Sequence, residues 1–226
     1  MDTIGTSGDE EGADDSDMLH WHVRWADYLP ALTLVCVMMS AWMAHLPSGM
    51  TSWGVSAAAL AEGRYSTIVL HMFAHGGWSH ILMNSASLLE IGGLVAARLG
   101  SYPKGWILFF AVFGVSGLSA MIVFLSFHPQ GTTPLVGASG AIYGLVGLLL
   151  FMRLSDELDP VELRMMPHAA LQFIRNNVFF LLLLLFSALL AGLSGGIAWE
   201  AHLGGFLFGF CVGPWLVPVL SRPRQT

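Results

Sequence analysis

The sequence predicts an all-α membrane protein, a bundle of six transmembrane helices with its N- and C-termini cytoplasmic. Three observations carry this. The chain of 226 residues is 55% hydrophobic and only 11% charged, a composition that suits a bilayer better than a single soluble core. Its apolar residues gather into six runs, most of them near the roughly 20 residues that an α-helix needs to cross the hydrocarbon layer. The alternating short strands of a membrane barrel do not occur, and helices are the remaining way to satisfy every backbone polar group in lipid.

In chain order, residues 1–22 read as an acidic, disordered cytoplasmic tail, with Asp9-Glu10-Glu11 and Asp14-Asp15 among glycines and serines. This tail holds seven of the fifteen acids, so the formal charge of -6 says little about the membrane body. A cleavable signal peptide is not expected, because the start is acidic rather than basic and apolar. Trp21, Trp25 and Tyr28 suit an interface. The six runs then follow at about Leu29–His45, Ser79–Leu99, Trp106–Phe127, Val136–Met152, Val178–Leu193 and Ala198–Leu220. The fourth and fifth are short. Cys36 and Cys211 each lie inside an apolar run, which implies neither a disulfide framework nor a thiol–metal site. Residues 222–226 form a short basic tail.

Orientation follows from the cations. With the N-terminus inside, the inner segments hold Arg24, Arg98, Lys104, Arg153, Arg164, Arg175, Arg222 and Arg224, and the outer ones only Arg64. That asymmetry obeys the positive-inside rule. The stretch from Leu154 to Arg175 is then a cytoplasmic loop.

Polar residues inside the runs can now be placed by depth. The second, fourth and sixth runs all travel inward. Each carries its polar residues close to its start: His80 and Asn84, then Ser139, then His202. At about 1.5 Å of rise per residue, all four fall in the outer third of the bilayer. Polar groups in lipid are costly and tend to mark function. His80 and Asn84 share a helix face, as do Ser139 and Tyr143. Gly205, Gly209 and Gly213 continue the stripe of His202, and Gly137, Gly140, Gly144 and Gly147 make a second stripe about 100° round from Ser139. Such small faces let two backbones approach closely, and packing the fourth run on the sixth would bring Ser139 within reach of His202. A nucleophilic serine needs a base of this kind. Ser139 also fits a plainer role, as one more small residue at a helix contact.

The motifs also carry a resemblance. Gly137-Ala138-Ser139-Gly140 with Tyr143 resembles the nucleophile motif of the rhomboid intramembrane serine proteases. Phe73-Ala74-His75-Gly76-Gly77-Trp78-Ser79-His80 with Asn84 is similar to the family's second-helix signature, and Ala201-His202-Leu203-Gly204-Gly205 with Gly209 to its sixth. The resemblance covers about residues 25–220, so residues 23–221 are expected to form a six-helix rhomboid-like bundle. It implies Ser139 as nucleophile and His202 as general base. It also implies an oxyanion site from Asn84, His80 and the Ser139 backbone N–H, with Tyr143 against the His202 ring and Gly137, Gly140, Gly205 and Gly209 in support. The chain departs from the family where a Trp-Arg pair often precedes the second-helix signature. Here Ser66-Thr67 stand in that place, and Ala96-Ala97 stand where a late glutamate is expected.

A two-residue system agrees with the acids available, since Glu200 lies about 200° round the helix from His202 and Glu90 lies about 15 Å deeper than His80. A Gly-x-Ser-x-Gly elbow is excluded by Ala141 and by the lack of a preceding strand. His71, His75 and His80 lack a His-Glu-x-x-His pattern and a closed ligand set, so no metal and no cofactor are expected. His71 and His75 read as hydrogen-bonding residues of the first loop, and His45, His128 and His168 as ordinary interfacial histidines. The expected partners are the lipid bilayer and transmembrane protein substrates, with no nucleic acid, in a multi-pass protein of the plasma membrane. The alternative function is a catalytically inactive rhomboid-like protein that binds transmembrane clients.

Overall fold

A computed structural model describes residues 23–46, 50–157 and 198–220. The fifth apolar run, nearly all of the expected inner loop and both expected tails lie outside these residues. Apart from one isolated bridge, the described backbone is helical wherever it is regular. A 3-10 turn over Trp25–Tyr28 leads into α1 (Leu29–His45). The loop that follows carries a 3-10 turn at Thr51–Trp53 and two short helices, α2 (Ala57–Ala61) and α3 (Thr67–Leu70). Then come α4 (Trp78–Leu99), α5 (Lys104–Phe127), α6 (Ser139–Glu157) and α7 (Trp199–Leu220).

Among the described residues, three segments are long and apolar enough to cross a membrane: Trp25–His45, Trp78–Leu99 and Lys104–Phe127. The apolar part of α6, Ser139–Met152, is shorter. The chain is an integral membrane protein.

Local chemistry explains the helix ends. The Asp27 carboxylate accepts from the Arg24 backbone N–H at 2.8 Å and from its guanidinium at 3.0 Å, closing the entry to α1. Pro30 sits in the first turn, where a missing N–H costs nothing. Gly100, at φ +96° and ψ −173°, takes an extended positive-φ conformation open to glycine, which ends α4. A Cβ at Gly105 would collide with the Gly100 carbonyl, so the α4–α5 turn closes backbone on backbone.

Among the described helices, α6 and α7 share the most extensive interface, and α5 packs on both. α4 joins this group through α6 and α5, and α1 lies on α4. Gly92 and Gly93 open the face of α4 to Ala31 and the Tyr28 ring, where a Cβ would collide with both. The core runs through Met38, Ile81, Leu88, Phe109, Leu145 and Leu148, all fully buried. Large apolar side chains such as Met83, Ile107 and Ile122 stay exposed on the helix surfaces.

Two boundaries differ from the sequence expectation. The fourth apolar run starts at Val136, but α6 starts at Ser139 because Gly137 adopts φ +115° and interrupts helical geometry just before it. At its other end α6 continues past Arg153 to Glu157, into the stretch expected to be loop.

Candidate active site

The approach to Ser139 is built by the two loops at that end of the bundle. Val55 and Leu135 exchange backbone hydrogen bonds at 3.1 and 2.8 Å, and the Ala58 N–H donates to the Gly131 carbonyl at 3.3 Å. Two residues further on, the Gly137 N–H donates to the His71 carbonyl at 2.8 Å. The first loop therefore anchors the strand-like segment that enters α6. Positive φ at Gly137 then turns the chain so that Ser139 opens the helix. Ser139 is half-buried and opens α6 level with Ala120 of α5, about two turns short of the end of that helix at Phe127.

His202 stands in the first turn of α7 and is buried. Its Nε2 lies 2.9 Å from Ser139 Oγ. With Nε2 unprotonated, the serine hydroxyl donates to it, the geometry of a nucleophile beside its base. The Tyr143 ring, one turn below Ser139 on α6, stacks on the His202 imidazole at 4.3 Å with 17° between planes. An aromatic face there holds the imidazole plane.

His80 and Asn84, one turn apart on α4, close over the same spot. A Cβ built at Gly137 would come 2.6 Å from His80 Nε2 and 3.4 Å from Asn84 Nδ2. Only a glycine leaves both nitrogens room so near the serine. Asn84 is buried, and its Nδ2 donor has no hydrogen-bond partner among the described residues. A buried amide donor without a partner costs free energy, on the order of 1–3 kcal/mol, and here it lies at the mouth of the Ser139 turn.

The other loop histidines support this arrangement. His71 is buried, with its Nδ1 3.1 Å from the Thr67 carbonyl. Burial pushes its pKa down, so it stays neutral. The Nδ1 of His75 lies 3.2 Å from the Phe73 carbonyl. Its ring meets that of His80 edge-on at 5.1 Å. Burial first, and then the neighbouring His80, push His75 down to about 4. Among the described residues, no three His, Cys, Asp or Glu side chains gather into a group able to hold a metal ion.

What brings the serine and histidine helices together is a glycine seam. A Cβ at Gly205 would strike the Gly140 carbonyl, and one at Gly209 the Gly144 carbonyl. At Gly147 the obstacles are the Phe206 carbonyl and the Phe210 N–H, and at Gly213 the Phe151 ring. Backbone therefore touches backbone over about two turns below the Ser139–His202 pair.

Three contacts had no signal in the sequence. Gly204 serves α5, lying under Val123, while its neighbour Gly205 serves α6. Ser119 Oγ donates to the Gly204 carbonyl at 3.0 Å. Glu200, buried and facing away from His202, accepts from His128 Nε2 at 3.3 Å. His128 is thus a partner for the acid rather than an ordinary interfacial residue. No periodic pattern links residues 72 positions apart, so only the fold could reveal that pair.

Fold and site together define a helical integral membrane protein that holds a serine on a histidine at one end of its bundle. Residues 62–219 match the family model described as Rhomboid domain, and the chain belongs to the rhomboid family. It is 30% identical to RHOMBOID-like protein 5 of Arabidopsis thaliana over 72% of this chain and 47% of that protein. It is 32% identical to the YdcA protein of Bacillus subtilis (strain 168), named as a candidate rhomboid protease, over 68% of this chain and 70% of the relative. Rhomboid protease GluP of the same organism is 31% identical over 43% of this chain and 18% of its own length. The chain thus spans less than half of the Arabidopsis relative and a smaller part of GluP.

Proposed function

We propose that this protein is an intramembrane serine endopeptidase that cuts single-span membrane proteins near the outer face of the bilayer. The observation that carries the reading is the 2.9 Å approach of His202 Nε2 to Ser139 Oγ. In the first step Ser139 Oγ attacks the scissile carbonyl carbon while its proton passes to His202 Nε2. The carbonyl oxygen becomes an oxyanion, which accepts hydrogen bonds from Asn84 Nδ2, His80 Nε2 and the Ser139 backbone N–H. The C–N bond then breaks, and the proton on His202 goes to the departing amine. A water molecule, deprotonated by His202, hydrolyses the acyl-enzyme and restores the serine. Tyr143 holds the imidazole plane throughout.

Substrate class follows from the setting. A helical peptide bond is poorly exposed, because its carbonyl is hydrogen-bonded and wrapped by side chains. The substrate must unwind at Ser139, and helix-weakening residues lower the cost, Gly by about 1 kcal/mol relative to Ala. A small residue before the scissile bond and helix-destabilising residues after it are the expected signature.

The reading includes six spans with both termini cytoplasmic, in the plasma membrane. The contacts already described place the starts of α4, α6 and α7 at one end of the bundle. Exposed Trp25, Tyr102 and Trp215 lie toward the other end, and exposed Trp78 lies at the start of α4, a distribution that suits two interfacial aromatic belts. Incubating the purified protein with a model single-span substrate tests the activity. Cleavage by wild type and none by Ser139→Ala is the expected result. Intact substrate with wild type would favour a client-binding protein instead.

A further inference from the structure

We infer that Glu200 is a positioning residue for His202, held by His128 on α5, so that the reactive histidine is set from the side of its helix opposite the serine. This rests on the protease reading above. Glu200 and His202 are two residues apart in the first turn of α7 and point to different neighbours. His202 faces α6, with Ser139 and the Tyr143 ring. Glu200 faces α5 and is buried, its Oε1 accepting from His128 Nε2 at 3.3 Å. His128 is the residue that caps α5, its N–H donating to the Phe124 carbonyl at 3.1 Å, and its ring lies 4.5 Å from the Phe124 ring. The donor is therefore itself fixed by the end of a long helix.

Further contacts lie on the same seam. The Phe127 and Trp199 rings meet at 5.5 Å, Ser119 Oγ donates to the Gly204 carbonyl at 3.0 Å, and Gly204 lies under Val123. Of these, the Ser119–Gly204 and His128–Glu200 hydrogen bonds each lie two residues from His202, and the second is the one made by a side chain of α7. The glycine seam with α6 fixes how close α7 comes, and the Tyr143 ring holds His202 from that side. Rotation of the first turn about the helix axis would move His202 across Ser139. A hydrogen bond on the far side of that turn opposes such rotation. A buried acid at this position is otherwise hard to account for, because burying a carboxyl group without a partner is costly.

The test uses the full-length protein in detergent, with wild type, Glu200→Leu, Glu200→Gln, His128→Leu and the Glu200→Leu/His128→Leu double variant. Leucine keeps the volume but not the bond. Glutamine keeps an Oε1 acceptor. The expected result is a fall in kcat of about ten- to a hundredfold for each leucine variant, the scale of a catalytic group displaced by a fraction of an ångström, with KM unchanged. The double variant is no worse than either single one, because both remove one interaction, and Glu200→Gln stays near wild type. His128→Leu, at an exposed position, carries the test if Glu200→Leu does not fold. Wild-type kcat in a folded leucine variant, additive losses in the double variant, or a loss carried by KM alone would overturn the inference while leaving the protease reading intact. A wild-type protein that does not cut the substrate would overturn both.

Discussion

Ser139 and His202 are separated by 63 positions in sequence and by 2.9 Å between Oγ and Nε2. If they act as a unit, Ser139→Ala and His202→Ala each abolish turnover while leaving the folded protein, and turnover assays beside thermal melts check both halves of that outcome. Chelation with EDTA leaves the rate unchanged. Asn84→Ala is a graded case: losing one oxyanion donor lowers kcat by about 10²–10³, with residual cleavage still measurable against Ser139→Ala. Gly137→Ala would need a side chain at φ +115° and 2.6 Å from His80 Nε2, so it costs activity and about 1–3 kcal/mol of strain. Much of this was legible beforehand, because polar residues in apolar runs are few and their spacing sets their faces. What the residues could not reveal was the start of α6 at Ser139. An apolar run looks continuous across Val136 and Gly137, and only the backbone angle at the glycine shows where the helix begins.

At the scale of helices, the account depends on the seam between α6 and α7. A Cβ at Gly209 already meets the Gly144 carbonyl, so Gly209→Leu forces the helices apart, with lost activity and a lower melting temperature in detergent as the joint outcome. The control is Gly114 on α5, where nothing among the described residues lies within 4 Å of a Cβ position. Gly114→Ala keeps full activity and holds or raises stability, by up to about 1 kcal/mol. Equal behaviour of the two variants would show that the seam lies elsewhere. The stripes at Gly140 and Gly144, and at Gly205 and Gly209, were readable because helical periodicity leaves a trace in sequence. The seam on α5 was not, because Ser119, Val123 and His128 meet α7 through tertiary packing with no repeat to mark it. The same holds for the Val55–Leu135 bridge, which joins two loops.

For the whole molecule, orientation and chemistry are linked, since a serine at the outer end implies products cut near that face. With Cys36 and Cys211 removed, a cysteine placed at exposed Thr132 labels with an impermeant reagent in intact cells. Labelling only after permeabilisation would reverse the orientation. The basic residues are what point to this layout, and the fifth run, which lies outside the described residues, is an expectation from its apolar length. The central claim is that Ser139, activated by His202, is the nucleophile. Its most direct test is an activity-based fluorophosphonate applied to the purified protein, with the site of modification mapped by mass spectrometry. The account predicts one covalent adduct, on Ser139, present in wild type and lost in both Ser139→Ala and His202→Ala. An adduct that persists in Ser139→Ala, or undiminished labelling of Ser139 in His202→Ala, would contradict it.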